Sequence, residues 1–441
     1  MSGVKTTLRC IECGDKKNLL RERTFRCVCG GLFEVHHNFV PALTPTKTLK
    51  DIFRTRANMC GPTSKSPLYR SGVWRFHELI MPNLKPDQLV SLGEGIVPIV
   101  PAGSHLRQWV GGDIDIWMIL EGSGPTGSFK DFGGSVMMSV AKAAGVSAVG
   151  CASTGDTSAM AAAYAAAAGL DCFVLLPEGK ITPVQLMQPA AHAARVIEVP
   201  GDFDDCMRIM QELVTHHGAY PANSLNPARI EGHQATVFLT AQFFRWQLPE
   251  WFVVPVGNGS NSSSIGKGMR LLRDLGFVTR TSRILGCQTE AANPLARSWA
   301  SAQDSDEKEG LKAWRRAYEP VQAGKTLATA TQIGDPVSKE KVMREITMSN
   351  GVMQTVTEQA LAEGMFACAK DGYLLCPQTG IALAGLRLAV QNGYVRSGES
   401  VMVVSTATGM KFAPVYQSKV QDSIERAPDA NAGTVARILG L

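Results

Sequence analysis

The sequence has no apolar run of the roughly 18–20 residues that a membrane span requires. Its most apolar stretch, Ala161–Leu170, is alanine-rich and too short. Met1–Leu8 lacks the apolar core of a secretory signal. One-sided charge is missing too. The 44 Lys and Arg and 39 Asp and Glu leave a net +5 spread along the chain, without the clustered basic face that nucleic-acid binding demands. Eleven cysteines in 441 residues are too sparse for a small disulfide scaffold. These absences predict no membrane and no nucleic-acid partner, and a cytoplasmic chain of two or three globular domains.

Seven cysteines stand singly: Cys60, Cys151, Cys172, Cys206, Cys287, Cys368 and Cys376. Several fall in apolar runs, where a free thiol behaves as a small hydrophobe. The other four form two close pairs, Cys10-x-x-Cys13 and Cys27-x-Cys29, with thirteen residues between. Tetrahedral zinc takes four thiolates from two tight turns, so the unit reads as zinc-ribbon-like. The second pair is one residue short of a regular knuckle, and a ribbon without metal fits the same pattern. Either way its role is structural.

The first hundred residues look irregular. From about Asp113 short β-rich runs alternate with segments of helical length. The predicted strands are Ile114–Leu120, Ser147–Cys151, Cys172–Leu176, Arg195–Val199, Trp251–Val256, Ile284–Cys287 and Ser400–Ser405. Helical patterns over Lys130–Ala144, Thr157–Gly169, Pro183–Ala193, Asp204–His216 and Ser262–Asp274 follow the first five. Such alternation predicts an α/β fold of doubly wound parallel sheets. Asp304–Lys325 is charged and reads as a solvated surface helix and loop.

Ligands of open α/β sheets bind at the carboxyl ends of the strands, and three of the loops there are chemically distinctive. Glu121-Gly-Ser-Gly-Pro-Thr-Gly-Ser-Phe-Lys130 runs into a helix that opens on a lysine. The macrodipole disfavours a cation there and, with burial, would lower its pKa; an ordinary surface lysine is the plain alternative. Ala152-Ser-Thr-Gly-Asp-Thr-Ser158 offers hydroxyls and backbone N–H groups to an anion, or else an elaborate cap. Gly257-Asn-Gly-Ser-Asn261 can cradle a phosphate, or simply turn the chain. A reactive lysine, an anion loop and a phosphate cradle together suit a lysine-bound phosphorylated aldehyde, pyridoxal 5'-phosphate.

Pro125-Thr-Gly-Ser-Phe-Lys130-Asp131 resembles the signature of the fold type II pyridoxal-phosphate enzymes, the tryptophan-synthase-β group. Five further motifs, in order, are similar to the threonine synthases within it. They are Cys151–Ser158, Asn223–Arg229, Gln332–Ser338, Cys376–Gly380 and Val404–Phe412. The N-terminal cysteine unit resembles the ribbon that opens many members. The resemblance implies that Lys130, next to Phe129, binds the cofactor covalently and shuttles protons. It implies that Gly257, Asn258, Gly259, Ser260 and Asn261 hold the cofactor phosphate, that Asp156 lies beside the pyridine hydroxyl and that Thr406 meets the ring nitrogen. Ser153, Thr154 and Thr157 would bind the substrate carboxylate, and Asn223, Ser224 and Arg229 the phosphate of a small phosphorylated amino acid.

Five positions depart from the family pattern: Gly93-Glu-Gly-Ile-Val-Pro98 lacks the usual Asn and Thr, Asp156 stands for Asn, Phe132 for Arg and Ser260 for Gly. The implied reaction converts O-phospho-L-homoserine and water to L-threonine and phosphate. β-Replacement on phosphoserine, as in cysteate synthase, and a non-catalytic binding module on this fold are the rival expectations. The expected assembly is a homodimer. The expected division is a ribbon-like unit (1–45), a region leading into the lysine segment (46–145), a small α/β domain (146–222) and a large cofactor domain (223–441).

Overall fold

The computed structural model describes residues 4–39, 45–59, 64–153, 155–179, 183–303 and 310–441. Three sheets organise them. An antiparallel sheet of β1 (Lys5–Cys10), β2 (Lys16–Lys17) and β3 (Phe33–Asn38) carries the cysteine unit.

The largest sheet comprises β4 (Ile99–Pro101), β5 (Asp115–Leu120), β10 (Trp251–Pro255), β11 (Arg283–Thr289), β12 (Val352–Val356) and β13 (Ser400–Ser405). Their order is β12-β11-β10-β13-β5-β4, parallel except for β4 at the edge. The remaining sheet is β8 (Arg195–Val199), β7 (Asp171–Pro177), β6 (Ala148–Ala152) and β9 (Tyr220–Pro221), all parallel. All seven predicted strands form, within two residues at either end.

The central strands are apolar throughout because both faces are covered. Alternate residues on β10 and β13 divide between two cores. Trp251, Val253, Val401 and Val403 pack with Leu383 and Leu386 of the helix Pro377–Gln391, while Phe252, Val254, Met402 and Val404 pack with Val136, Ile265 and Met269. Those last three come from the helices Lys130–Ala143 and Ser260–Asp274.

β13 enters last and lies between β10 and β5. That makes a topological switch point, where the loops after β5, β10 and β13 diverge and leave a crevice.

The first hundred residues are more ordered than their texture implies. A helix spans Thr46–Asn58, and its Arg56 meets both carboxyl oxygens of Glu78 at 2.7 Å. β12 was not foreseen, since Gln354 and Thr355 interrupt its apolar run. The expected solvated segment after Asp304 is described only from residue 310, where it departs from expectation. The helix Leu311–Ala317 buries Trp314, whose indole N–H donates to Ser298 Oγ at 3.0 Å.

Glu94, in the Gly93–Pro98 segment, is fully buried. Its carboxyl oxygens accept from Ser71 Oγ (2.5 Å), Ser135 Oγ (2.9 Å), Ser91 Oγ (3.0 Å), the Leu92 N–H (2.9 Å) and Tyr164 Oη (3.2 Å). One side chain thus joins the helices Lys130–Ala143 and Asp156–Ala168 to the N-terminal segment. Glu94→Ala strands several buried donors at once and should cost about 3 kcal/mol or more. A lowered urea midpoint with an unchanged m-value checks this, and Glu94→Gln should fall between.

Candidate active site

Lys130 is the first residue of its helix and is half-buried at the end of β5. The preceding loop is pinned to the loop after β13. The Phe129 N–H donates to Thr406 O at 2.8 Å, and the Thr408 N–H to Gly127 O at 3.1 Å. Lys130 Nζ lies 3.9 Å from the Phe129 ring centroid. Burial, and after it the Arg229 guanidinium, pulls the Lys130 ammonium down to about 7. A large fraction of this lysine is a neutral amine near neutral pH, as a nucleophile must be.

The hydroxyl loop follows β6. Asp156 opens the helix Asp156–Ala168, Thr157 is buried, and Ser153 Oγ accepts from the Gly155 N–H at 3.3 Å. Thr154 lies outside the described residues. Asn223 clamps this loop's base: its Oδ1 accepts from the Ala152 N–H (3.2 Å) and its Nδ2 donates to Ala152 O (2.8 Å). One N–H of its amide is left over. Ser224 is half-buried beside it.

Arg229 lies in the helix Pro227–His233, which Asn226 caps and Pro227 opens. Its side chain is buried, and Nη1 donates to Ala222 O at 3.0 Å. Nε and Nη2 find no partner among the described residues. Desolvation lowers Arg229 to about 10, still charged at neutral pH. A buried guanidinium with two idle donors is costly unless an anion completes it.

The glycine loop follows β10. Gly259 has φ +86°, a conformation that glycine adopts without strain. This turns the chain into the helix Ser260–Asp274, which starts with no side-chain cap. Ser260, Asn261 and Ser262 are buried there, and Ser262 Oγ finds no partner among the described residues. Asn258 ties the loop to the Gln332–Ser338 motif, its Oδ1 accepting from the Val337 N–H (3.2 Å) and its O from the Ser338 N–H (3.1 Å). An uncapped, buried helix start is an anion site. Gly257 has Thr331 within 3.3 Å of where a Cβ would stand, so the chain is close-packed behind the cradle.

Thr406, at the end of β13, is buried, with Cys376 Sγ 3.4 Å from its Oγ1 and its N–H donating to Thr379 Oγ1 at 3.2 Å. Two of the resembling motifs, Cys376–Gly380 and Val404–Phe412, therefore meet around one hydroxyl.

These features fit pyridoxal phosphate: an amine near neutrality, a buried, uncapped helix start after Gly257–Gly259 and a buried hydroxyl at Thr406. The family described as "Pyridoxal-phosphate dependent enzyme" matches residues 90–407. Threonine synthase 2, chloroplastic, of Arabidopsis thaliana is 36% identical over 407 residues, covering 91% of this chain and 75% of that one. The threonine synthase of Methanocaldococcus jannaschii is 33% identical, covering 91% of this chain and 92% of its own.

The chain belongs to the threonine synthase family of pyridoxal-phosphate-dependent enzymes.

Among solved structures, threonine synthase from Escherichia coli superposes with a TM-score of 0.67 at 18% identity, covering 96% of this chain and 93% of that chain. Maize serine racemase superposes at 0.61 with 14% identity, covering 80% of this chain and 98% of its own. At such identities the likeness establishes the fold alone.

Four groups near the lysine were not singled out from sequence. Lys411 pairs with Asp156 at 2.6 Å. His233, one turn beyond Arg229, lies against the Phe129 ring at 4.9 Å. Burial, then Arg229 and Lys130, keeps it well below the ordinary imidazole value. Glu121 is buried and bonded to Thr236, and desolvation pushes it up to about 8. Asp131 accepts from Thr126 Oγ1 at 2.5 Å, and burial pushes it up to about 7. Lys411, Glu121 and Asp131 sit inside stretches quoted above, which was the available signal; His233 depends on packing.

The four cysteine sulfurs lie within 4.8 Å of one another, with Cys10–Cys29 at 3.5 Å and Cys13–Cys27 at 3.6 Å. All ten described cysteines are free thiols.

Two consequences for Lys130 are measurable. Lys130→Ala should abolish both the visible cofactor absorbance and turnover. In the cofactor-free enzyme the depressed lysine is protonated below its pKa, so the rate at which it captures pyridoxal phosphate should fall on the acid side of about pH 7. The pH dependence of reconstitution, followed by the visible absorbance, checks the second, and an acid limb near pH 9 would contradict it.

Proposed function

We propose that the enzyme converts O-phospho-L-homoserine and water to L-threonine and phosphate. The observation that carries this reading is the presence of two separate anion sites. One is the Gly257–Asn261 cradle, assigned to the cofactor phosphate. The other is Arg229 of the helix Pro227–His233, buried with two nitrogens that find no partner among the described residues. A cofactor has one phosphate, so the second site calls for a phosphate on the substrate.

The bound cofactor supplies an electron sink that stabilises negative charge at the substrate Cα. The rest falls to the chain's own groups. Ser153, Thr154 and Thr157 hold the substrate carboxylate at the start of the helix Asp156–Ala168. Arg229 takes the substrate phosphate, with the spare amide N–H of Asn223 and the Ser224 hydroxyl at its border. Lys130 Nζ removes the Cα proton and then one Cβ proton, and the electron pair left at Cβ expels phosphate from Cγ. A proton returns at Cγ, water adds its hydroxyl at Cβ with its other proton passing to the released phosphate, and a proton returns at Cα. Thr406 would offer a neutral hydroxyl to the cofactor's ring nitrogen, with Phe129 beside Lys130 and Asp156 toward the pyridine hydroxyl.

The same reading takes residues 1–45 as a ribbon-like unit, 46–145 as the approach to the lysine, 146–222 as a small domain and 223–441 as a large one. The confinement of β6–β9 to residues 148–221 supports that division. It takes the protein as a cytoplasmic homodimer, with the unpaired cysteines supporting a reducing compartment. No helix among the described residues is long and apolar enough to cross a membrane.

It also takes Cys10, Cys13, Cys27 and Cys29 as ligands of a structural zinc, supported by their convergence from two tight turns. Elemental analysis should then find about one zinc per chain. Cys10→Ser should lower thermal stability far more than kcat. A metal-free protein of full stability would instead make this an empty ribbon.

The substrate assignment is tested by product analysis with phosphohomoserine and phosphoserine, on the wild type and on Arg229 variants. Wild type should release threonine and phosphate from phosphohomoserine and leave phosphoserine largely untouched. Arg229→Ala should lose roughly 10²–10³-fold in kcat/KM, the scale of breaking a buried charge-assisted pair, with the cofactor colour retained. Arg229→Lys should recover only part, because a point charge cannot reproduce a fork. Selective turnover of phosphoserine, or loss of cofactor from Arg229→Ala, would refute the assignment.

A further inference from the structure

The Val404–Phe412 motif contains one charged side chain, Lys411, to which the proposed reaction gives no role. Its Nζ donates to Asp156 Oδ1 at 2.6 Å and to Thr126 O at 3.0 Å. Three loops from two sheets meet in these contacts. Thr126 belongs to the lysine loop after β5, Lys411 to the turn after β13, and Asp156 to the helix that follows β6 of the other sheet. Gln188 Nε2, from the helix Pro183–Ala191, reaches the same Thr126 carbonyl at 3.3 Å. The lysine stem lies against Gly127, where a Cβ would come within 3.2 Å of its Cδ. A larger residue at 127 would therefore displace it.

We propose that Lys411 is a positioning residue that clamps Asp156 to the lysine loop across the cleft and supplies the cation that lets a carboxylate stand beside the cofactor's phenolic oxygen. An uncompensated carboxylate would repel that oxygen, whereas an amide could donate to it. Paired with Lys411, Asp156 is neutralised. An ammonium carries three donors, and the two contacts above use two of them. The inference rests on the cofactor reading at Lys130.

The charged groups that bear on Lys130 are Arg229, Asp156 and Lys411, with the imidazole of His233 close by. Of these, Lys411 favours the neutral amine and Asp156 the charged one. The pair's two members should therefore move the lysine in opposite directions, which a purely structural contact would not do.

The experiment uses the holoenzymes of wild type, Lys411→Met, Lys411→Arg, Asp156→Asn and the Lys411→Met/Asp156→Asn double variant. Hydrogen exchange is followed over residues 124–130 and 155–160, together with the pH midpoint of the visible cofactor absorbance. Lys411→Met should speed exchange in both segments about tenfold and raise the midpoint by roughly half a unit. Asp156→Asn should lower the midpoint, and the double variant should return it toward wild type. Lys411→Arg should keep the protection. Wild-type exchange in Lys411→Met, or midpoints that move the same way in both single variants, would overturn the proposal. A wild type without visible absorbance would instead sink the cofactor reading, and the exchange measurement would still judge the clamp.

Discussion

The Lys130 ammonium and the Arg229 guanidinium share one desolvated cleft, and each makes the other's charge less favourable. Little in the chain neutralises them. Asp156 is taken up by Lys411, Glu121 and Asp131 are pushed toward their neutral forms, and His233 is held far below its usual value. The cleft therefore has an excess of positive charge and several idle donors. Such a cleft suits ligands that bring negative charge, as the proposed cofactor and substrate would. Burial first, and the neighbouring guanidinium after it, pull the lysine toward neutrality.

Two like charges stay in place only if the backbone around them is stiff. The lysine loop is stitched to the loop after β13 by hydrogen bonds at Phe129 and Thr408. Arg229 is held by the Ala222 carbonyl and by a helix capped through Asn226. Asn223 locks the hydroxyl loop to the end of β6. Glu94, at the centre of five donors, ties together the two helices that open on Lys130 and Asp156. The cysteine unit docks through β3. Glu34 pairs with Arg344 at 2.6 Å, and the Phe33 carbonyl accepts from Lys341 at 2.9 Å.

Much of this was legible in the residues. The central strands β10 and β13 are near-continuous apolar runs, because burial on two faces leaves no polar alternation to confuse them with loops. The three site loops stood out because Gly, Ser and Thr concentrate at strand ends followed by helices. β12 escaped, since two polar residues in five hide a short strand. The surface helix expected after Asp304 forms at Leu311–Ala317, but the burial of its Trp314 escaped because one tryptophan does not outweigh a charged neighbourhood.

By itself the sequence determined the α/β class, the loops that carry the chemistry and the family, since these depend on local periodicity and on motifs contiguous in the chain. Only the tertiary structure decided how those loops work together. Phe129 and Thr406, 277 positions apart, become neighbours because β13 inserts between β5 and β10. The idle nitrogens of Arg229, the pairing of Asp156 with Lys411 and the depressed lysine likewise depend on segments distant in the chain. Burial and unlike-charge pairing are set by what lies across the cleft, and no local stretch of sequence contains that information.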